Sequence, residues 1–579
     1  INCGDAGQEG ELISAMGDAE GQREMSGEAP LDIIDDRRGD FARDFGNLKP
    51  QDDYQPLYLA GLSRAIGDWI LGMNATRLYT LKYGQNRQVL SIGRVQTPTL
   101  ALIVNRQKEI DNFEPEPYWV LATIYRDTTF TATKGKFTTK EEGEQAFATI
   151  EGKPFTVTDV QKKRGTEAPP HLYDLTSLQV DCNRKFGMSA DMTLKIIQTL
   201  YERKLTTYPR VDTQYLSDDI YPKCGGILNG IKGYDQLLTA LRGKPLKKSK
   251  KVFDTSKVTD HHAIIPTGVP AQGLTDMERH VYDLIARRFI SVFYPDCKFA
   301  TTTVMGDVDG IEFKASGKLI LDPGWRAVYA KDAADRQTAD DGDAKPQDEE
   351  RTLPAFEKGE SGEHTPTLTE KWTTPPKYYT EATLLRAMET AGKFVDNEEL
   401  RAALKENGIG RPSSRAGIIE TLFKRHYIRR ERKNLVATAT GIELIDLIKE
   451  ELLKSCELTG IWEKKLRDIE HKTYDPAQFI SELKEQIATI VHDVLSDNSN
   501  RRVTILTEED LKKKTKRKTA AKPKATTATK SAAKPGDATG VKPGDVCPVC
   551  GKGVVIKGKT AYGCSRWKEG CSFRLPFEQ

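Results

Sequence analysis

The stretch from Lys204 to Thr213 constrains this chain most, because a helix has to end there and a proline follows at once. Apolar side chains ahead of it recur at helical steps, namely Ala190, Leu194, Ile197 and Tyr201. Ser189 is placed to cap that helix. Pro209 moves Tyr208 out of the α region, so Tyr208 and Arg210 are predicted to point to the same side of a stiff, extended segment.

A tyrosine and an arginine held in this way have a chemical use. A free phenol has a pKa of about 10 and is a poor nucleophile at neutral pH. A guanidinium beside it favours the phenolate and binds a phosphate oxygen as negative charge builds up. Tyr208 with Arg210 therefore suits covalent attack on a phosphodiester. A surface turn with a solvated arginine is the alternative interpretation.

The longer run from Leu200 to Leu216, centred on Thr-Thr-Tyr-Pro-Arg-Val-Asp-Thr, resembles the active-site signature of type IA DNA topoisomerases. It is most similar to the topoisomerase III branch of the bacterial, mobile-element type. The resemblance implies that Tyr208 forms a transient 5′-phosphotyrosine bond with one DNA strand and that Arg210 supports it. It also implies a multidomain α/β and α+β protein of toroidal architecture, with helical domains and a β gate.

Length and composition set the outer limits. A chain of 579 residues holds several domains. Charged residues make up 30% and the net charge is +3, which permits a local basic face on a nearly balanced surface. We find no run of about 18 apolar residues and no signal peptide, so a cytoplasmic protein without membrane contact is predicted. Because the chain starts at Ile1 without a methionine, we expect it to lack its true N-terminus.

An acidic, glycine-rich block runs from Asp5 to Ile13, with three carboxylates in seven residues. Oxygen ligands of this kind hold Mg²⁺. The block resembles the metal motif of a Toprim domain, in which Asp5 and Glu9 match the first and last acids. An acidic turn that opens a helix is the alternative.

The same block departs from the Toprim pattern. Gly7 stands where the middle aspartate is usual and Gln8 where an arginine is usual, so the resemblance implies weak Mg²⁺ binding. Residues 14–43 lack a periodic apolar pattern. Residues 1–53 are therefore predicted to be a partial, degenerate Toprim remnant.

Residues 54–117 have a helical pattern and resemble the first part of the family's single-strand-binding domain. Candidate contacts to DNA phosphates lie on one helix and at the start of a second: Arg64, Arg77, Arg94, Gln96 and Thr97. Gly93 lets a backbone approach closely there, and donors at a helix start form a natural phosphate site. Solvated helix faces and ordinary caps are the alternative.

Two stretches with a strand pattern, 118–170 and 299–370, resemble the two parts of the family's β gate, which join although they are distant in sequence. The acidic segment 331–370 within the second is predicted to be an exposed loop. Residues 171–298 between them are the predicted helical domain of the catalytic tyrosine. The resemblance places His261 beside Tyr208, whereas a structural histidine pair is the alternative.

Residues 371–500 are predicted to be the second part of the helical DNA-binding domain. The turn from Gly408 to Ala416 combines glycines, arginines and hydroxyls at a helix start, and it resembles a DNA-binding motif of the family. The candidate DNA contacts in it are Arg411, Ser413, Ser414 and Arg415. A capped, glycine-rich turn is the alternative.

The C-terminal part changes character. Residues 501–545 are rich in lysine, threonine, alanine and proline and are predicted to be a basic, disordered linker. Residues 546–579 place four cysteines at the spacing of a tetrahedral, structural Zn²⁺ site: Cys547, Cys550, Cys564 and Cys571. The segment resembles the zinc ribbons of type IA topoisomerases. A disulfide or free thiols are the alternative.

The sequence thus predicts a type IA topoisomerase, a monomer that cleaves and rejoins one strand of single-stranded or underwound DNA and relaxes or unlinks it. The predicted cofactors are Mg²⁺ and structural Zn²⁺. We expect the sequence to contain no nucleotide-binding loop of the Gly-x-x-x-x-Gly-Lys-Ser/Thr type, so strain in the DNA has to drive the reaction without ATP. Two alternatives stay open: a catalytically impaired, single-strand-binding remnant, and a nucleic-acid-binding adaptor with a zinc ribbon.

Overall fold

The computed structural model describes residues 8, 12, 50–86, 88–258, 261–330, 351–504, 545–547, 553–557, 561–565 and 573–576. The chain divides into two compact units, Ile1–Lys513 and Lys514–Gln579. Within the described ranges, no helix has both the length and the apolar character needed to cross a membrane. The stretch 14–43 lies outside the described residues, as do Asp5 and Glu9, so the predictions for them stay predictions.

Two long helices open the described part, α1 (Gln55–Tyr83) and α2 (Gln96–Asp111), as the helical pattern predicted. The buried face of α1 repeats every four residues: Leu71, Ala75, Tyr79 and Tyr83. Gly67 on this helix gives room to a neighbour, because a Cβ there would lie 2.9 Å from the Trp462 ring. Helix α1 is therefore anchored against a helix some 400 residues later in the chain.

Three separate stretches of chain build one seven-stranded antiparallel sheet. Its strands are β1 (Pro117–Tyr125), β2 (Thr128–Phe137), β3 (Phe155–Glu167), β4 (Cys297–Val308), β5 (Ile311–Asp322), β6 (Ser361–Gly362) and β7 (Thr365–Trp372). Their order across the sheet is β6-β3-β4-β5-β2-β1-β7. This pairing confirms that the two stretches with a strand pattern join.

Two predictions for this sheet region are wrong. The proposed exposed loop 331–370 contains β6 and most of β7, and Thr365 of β7 pairs with Ile124 of β1. An edge strand needs few apolar side chains, so its acidic, polar sequence concealed it. The stretch 118–170, which was predicted from its strand pattern, also contains a helix, α3 (Lys140–Ile150), which begins at a Thr139 cap.

The chain between β3 and β4 forms the predicted helical block around Tyr208. Its helices are α4 (Leu175–Phe186), α5 (Ala190–Glu202), α6 (Cys224–Gly230), α7 (Asp235–Thr239) and α8 (Asp276–Ser291). They enclose a hydrophobic core of their own, which includes Ile197, Leu200 and Phe289. Glu167 at the end of β3 pairs with Cys297 at the start of β4, so the block is an insertion with adjacent ends.

Most of the remaining first unit is helical, as predicted. The helices are α9 (Glu381–Glu389), α10 (Glu398–Asn407), α11 (Pro412–Lys424), α12 (Ala439–Leu447), α13 (Glu451–Lys454), α14 (Glu457–Glu470) and α15 (Pro476–Leu495). Their buried side chains share one core with α1 and α2. A hairpin of β8 (Ile428–Glu431) and β9 (Asn434–Ala437), which was not predicted, interrupts them.

In the second unit, β10 (Val555–Lys557), β11 (Ala561–Cys564) and β12 (Arg574–Pro576) form a small antiparallel sheet in that order. The letters from Gly553 to Thr560 do match a nucleotide-binding loop, contrary to the expectation from the sequence. However, the middle of that match is strand β10, which pairs with β11 in a hairpin. Residues 555–557 are therefore an extended strand, whereas the same positions of a phosphate-binding motif form a loop.

Candidate active site

Helix α5 ends at Glu202, and Tyr208 lies in the chain that follows it. Ser189 caps the start of α5 as predicted, and its side chain accepts from the Met192 N–H. Past the helix end, Lys204 adopts a left-handed backbone with φ of 58°. The Leu205 N–H then donates to the Leu200 carbonyl at 2.9 Å and closes the turn. The helix therefore ends before the Thr-Thr step, and Thr206 then pairs with Pro266 in an isolated antiparallel bridge.

Thr207 fixes the segment to the chain on its other side. Its N–H donates to the Ile265 carbonyl at 3.0 Å, and its hydroxyl accepts from the Ile265 N–H at 3.0 Å. The same hydroxyl donates to the Ala263 carbonyl at 3.2 Å. Thr207 is 3% exposed, so these bonds are shielded from water. The residue before Tyr208 is thus held at two points, which gives the nucleophile candidate a rigid mount.

Two rings pack on the Tyr208 side chain. The His261 ring lies 4.4 Å away between centroids, at an interplanar angle of 38°. The Tyr201 ring approaches edge-on at 5.5 Å. Tyr208 itself is half-buried. The structure therefore brings the His261 ring into contact with the Tyr208 ring.

Arg210 is exposed two residues after Tyr208, and Pro209 between them is buried. Within the described part of the chain, the Arg210 guanidinium makes no hydrogen bond or ion pair. It is therefore available to a phosphate beside Tyr208. The predicted orientation of both side chains to one side stays a prediction.

Arg64 and Arg94 lie in a network of carboxylates. Arg64 donates two hydrogen bonds of 2.6 Å to Glu463. Arg94 donates to the same carboxylate at 3.2 Å and to Asp68 at 2.9 and 3.1 Å. Arg94 is 6% exposed, and its guanidinium lies 4.9 Å from the Trp462 ring centre. Arg94 is therefore buried and held by two carboxylates, and its predicted role as a DNA contact stays a prediction.

The charges of this network are fixed at neutral pH. Burial alone would raise the pKa of the Glu463 carboxyl, but Arg64 and Arg94 outweigh it and lower the pKa to about 2. For Arg94, burial alone would lower the pKa, and the charges of Asp68 and Glu463 raise it instead. Glu463, which sequence analysis did not identify, is the residue that joins the two arginines. Glu463 lies beside the apolar stripe of α14, and nothing in that local pattern indicates that it pairs with two arginines.

Gln8 of the acidic block reaches the same network. Its side-chain oxygen accepts from Arg64 at 3.0 and 3.2 Å and from Arg411 at 3.5 Å. Its amide nitrogen donates to Glu470 at 3.2 Å. Gly61 provides the space, because a Cβ there would lie 2.5 Å from the Gln8 carbonyl. Gln8, which departs from the Toprim pattern, therefore links α1 to the glycine-rich turn.

The start of α2 uses its polar groups internally. The Thr97 hydroxyl accepts from the Gly93 N–H at 3.0 Å, and Thr97 is 3% exposed. Gln96 donates to the Ser91 hydroxyl at 2.7 Å. The Thr97 hydroxyl therefore stabilises the turn before α2, and the DNA contact predicted for Thr97 stays a prediction. Arg77 on α1 is exposed, which leaves its predicted role open.

The glycine-rich turn before α11 packs on the start of α2. Gly408 has φ of 61°, and the next N–H, of Ile409, donates to the Met388 carbonyl at 2.8 Å. Gly410 has φ of 72°, and a Cβ there would lie 3.1 Å from the Val95 side chain. The two turns that were predicted to bind phosphates are therefore neighbours.

Arg415 ties this turn to the tyrosine block. It is 1% exposed and donates to the Thr176 hydroxyl at 2.8 Å and to the Ile409 carbonyl at 3.4 Å. Burial lowers its pKa, against the opposing charges of Glu389, Asp174 and Asp212. Arg415 has this structural role in the fold, and the DNA contact predicted for it stays a prediction.

The other candidates of the turn lie nearer to solvent. Arg411 and Ser413 are half-buried. Ser414 is exposed and donates to the Arg411 carbonyl at 3.0 Å. Their predicted roles in DNA binding stay predictions.

Replacing Gly408 by alanine should destabilise the first unit by about 1–3 kcal/mol from backbone strain alone. A Cβ at this φ would also lie 2.1 Å from the Met388 carbonyl. Gly417 in α11 is the matched control, since a Cβ there meets nothing within 4 Å. Gly417→Ala should stabilise the helix by about 0.5–1 kcal/mol. Urea unfolding of both variants checks this, and equal midpoints would contradict it.

In the second unit, Cys547 and Cys564 are both buried. The Cys547 N–H donates to the Gly553 carbonyl at 2.7 Å, and Cys564 pairs with Val555 across the hairpin. Cys547 and Cys564 therefore lie on the two segments whose backbones pair with residues 553–555. Cys550 and Cys571 lie outside the described residues. Among the residues that the structure does describe, no group of three metal-ligating side chains comes together.

A family model for DNA topoisomerase matches residues 52–481 of the chain. The DNA topoisomerase 3 of Bacillus licheniformis is 39% identical over 469 residues, which are 78% of this chain and 63% of that protein. The DNA topoisomerase 3 of Bacillus subtilis (strain 168) is 36% identical over 505 residues, 85% of this chain and 68% of that protein. The chain thus spans a little under two thirds of the length of the first of these relatives.

A solved structure, the full-length topoisomerase I from Thermotoga maritima, is similar in fold. The TM-score is 0.63 at 23% sequence identity, and the match covers 84% of this chain and 77% of the other. At this identity the likeness concerns the fold alone.

Proposed function

This chain belongs to the type IA DNA topoisomerases and is topoisomerase III-like, and on that premise we propose that it cleaves and rejoins one DNA strand through Tyr208. The observation that carries the proposal is the rigid mount of Tyr208, with the His261 ring 4.4 Å away. Single-stranded or underwound DNA is the proposed substrate. The predicted toroidal arrangement and the passage of another strand belong to the same proposal.

The proposed step exchanges one phosphoester bond for another. The phenolic oxygen of Tyr208 attacks the phosphorus and gives up its proton, while the bond from phosphorus to the 3′ oxygen breaks. That oxygen leaves as a 3′ hydroxyl with a proton, and the 5′ phosphate stays on Tyr208. The number of phosphoester bonds does not change in this step. The 3′ hydroxyl can therefore attack the Tyr208 phosphoester and reverse the step without ATP.

Each neighbour has a defined part in this step. The exposed guanidinium of Arg210 stabilises the charge on the phosphate oxygens. The His261 imidazole donates a hydrogen bond or a proton to the same phosphate. Arg411 and Arg77, together with the hydroxyls of Ser413 and Ser414, are the proposed contacts to the strand's backbone. Arg64 and Gln96 already form hydrogen bonds within the protein, so they contact the DNA backbone only through side-chain atoms that these bonds do not use.

Two metal ions are part of the proposal. Asp5 and Glu9 offer the carboxylate oxygens that Mg²⁺ prefers, and Mg²⁺ would supply charge neutralisation near the phosphate. In the second unit, thiols suit Zn²⁺, and the buried Cys547 and Cys564 on the two segments that pair with residues 553–555 fit two of four ligands. That ion would hold the small sheet together.

Replacing Cys547 by alanine should release the zinc and unfold the second unit, because its short strands have little core of their own. Zinc content per chain, measured by atomic emission, should fall from about one to near zero. Cys182→Ala is the control, since burial raises the pKa of that thiol to about 12 and it cannot serve as a thiolate ligand. Equal zinc content in both variants would refute the ribbon.

Trapping the covalent intermediate tests the proposed function. The chain is incubated with end-labelled single-stranded DNA, with and without Mg²⁺, and stopped with denaturant. A label on the 3′ side of the cut should stay with the protein, and peptide mapping should place the adduct on Tyr208. Binding without any adduct would overturn the enzyme and support the single-strand-binding remnant.

A further inference from the structure

A basic segment, residues 249–258, runs beside the chain that follows Tyr208. The Leu216 N–H donates to the Val252 carbonyl at 2.8 Å, and the Asp254 N–H donates to the Leu216 carbonyl at 2.9 Å. The Thr213 hydroxyl adds a bond of 2.7 Å to the Lys257 carbonyl. We call these residues the basic strap. It is therefore held rigidly against the continuation of the Tyr208 segment.

Two rings lie on the strap among its lysines. Lys257 donates to the Tyr215 hydroxyl at 3.2 Å, and its ammonium lies 4.4 Å from the Tyr215 ring centre. The His171 ring lies 5.5 Å from the same ring, and its Nδ1 donates to the Lys251 carbonyl at 3.1 Å. His171 is exposed and Tyr215 half-buried. Rings alternating with cations are the chemistry that binds single-stranded nucleic acid by stacking and charge.

Two lysines of the basic strap carry positive charge that no neighbouring carboxylate among the described residues neutralises. In the run before it, Lys247 pairs with Asp296 and Lys248 with Asp218, each at 2.5 Å. Lys250 and Lys251 are exposed, and within the described ranges neither forms an ion pair.

Lys257 is 3.6 Å from Asp254, the one carboxylate on the strap itself. That carboxylate is further engaged by Ser256, whose hydroxyl donates to it at 2.6 Å. Two lysines therefore remain for phosphates.

The strap is close to the reacting tyrosine. The His261 ring packs on Tyr208, and two residues later the Ala263 N–H donates to the Tyr215 carbonyl at 2.9 Å. Two residues span at most about 7.6 Å between their Cα atoms. A strand joined to Tyr208 through its 5′ phosphate therefore reaches Tyr215 within its first few nucleotides.

We propose that the basic strap, with Tyr215, His171, Lys250 and Lys251, binds the DNA strand that stays attached to Tyr208 after cleavage. This inference rests on the proposed function and adds a site to it. The bases stack on the two rings and the phosphates meet the two lysines. The strand with the 5′ phosphate is thus held by the same block that carries its covalent bond.

The test uses equilibrium binding of the full chain. Both the reference and the variants carry Tyr208→Phe, so no covalent chemistry is needed. Fluorescent single-stranded oligonucleotides are titrated at several salt concentrations by anisotropy. The variants are Lys250→Ala with Lys251→Ala, and separately Tyr215→Leu. Lys195→Ala with Lys232→Ala is the control, since it removes the same charge from exposed positions of the same block.

Loss of two phosphate contacts should lower the slope of log K against log salt by about 1.4, at about 0.7 per contact for single strands. Tyr215→Leu should weaken binding about fivefold to tenfold at all salt concentrations, the loss of one stacked base. The control should change neither. Slopes and affinities equal to the reference in both variants would overturn the strap as a DNA site.

A second readout separates this inference from the proposed function. In chains that retain Tyr208, adduct yield is compared for oligonucleotides with one or ten nucleotides on the 3′ side of the cut. The longer tail should raise the yield in the unmodified chain and not in the strap variants. Absence of any adduct in the unmodified chain refutes the enzyme, whereas the anisotropy result still decides the strap.

Discussion

Tyr208→Phe is expected to lower formation of the covalent DNA adduct by at least about a thousandfold, because it removes the oxygen that we propose as the nucleophile. The phenylalanine ring keeps the packing on His261 at 4.4 Å and on Tyr201 at 5.5 Å, so the fold should not change. Adduct yield after denaturation is the measurement, and anisotropy with single-stranded DNA confirms that binding persists.

Tyr201→Phe is the matched control for this experiment. Its ring touches Tyr208 and it loses the same oxygen, but it sits on α5 rather than in the chain that follows it. Its adduct yield should stay within about threefold of the unmodified chain. An adduct that survives in Tyr208→Phe, or one that disappears in Tyr201→Phe, would show that a different residue carries the reaction.

Glu463→Gln should be the most destabilising single change in the arginine network. It leaves Arg94, which is 6% exposed, without one of its two carboxylates and Arg64 without its charged partner. Breaking a buried ion pair in this way costs about 3–5 kcal/mol. Urea unfolding followed by tryptophan fluorescence reports it, since Trp462 lies against Arg94.

The same network makes stability depend on pH. The carboxyl pKa of Glu463 falls from 4.5 to about 2 on folding, so its contribution is full above about pH 4.5 and is lost as the pH drops towards 2. This acid-dependent part should be absent in Glu463→Gln. Glu399→Gln is the control, because its carboxylate pairs with Lys464 but is 73% exposed. Equal effects of the two substitutions would contradict the burial argument.

Much of the fold followed from local patterns. Ser189 and the apolar spacing predicted helix α5, and Pro209 predicted that this helix ends before Tyr208. These signals could be interpreted from the sequence because each acts within a few residues. Strand β7 was missed for a physical reason: it lies at the sheet edge, where only one neighbour and little apolar surface are required. Helix α3 was missed because strands surround it in sequence.

The roles of individual arginines were harder to predict. Arg64, Arg94 and Arg415 have the sequence context of phosphate contacts, yet the structure pairs Arg94 with Glu463 and Arg415 with Thr176. Each partner is hundreds of residues away, and no local spacing encodes it. The position of His261 beside Tyr208 was predicted because the residue lies in a motif that resembles one of the family. Glu463 was not found because a charged residue on an amphipathic helix is normally solvated.

The order of strands in the large sheet also has a consequence during translation. Strand β1 ends at Tyr125, and its outer partner β7 is complete only at Trp372, 247 residues later. At about 5–20 residues per second, the growing chain carries that open strand edge for roughly 12–50 seconds. The tyrosine block, whose ends meet where β3 pairs with β4, is synthesised within this interval and has its own core. A nascent chain is therefore exposed to strand pairing with its neighbours on the same messenger until β7 arrives, and crowded polysomes should make its yield fall.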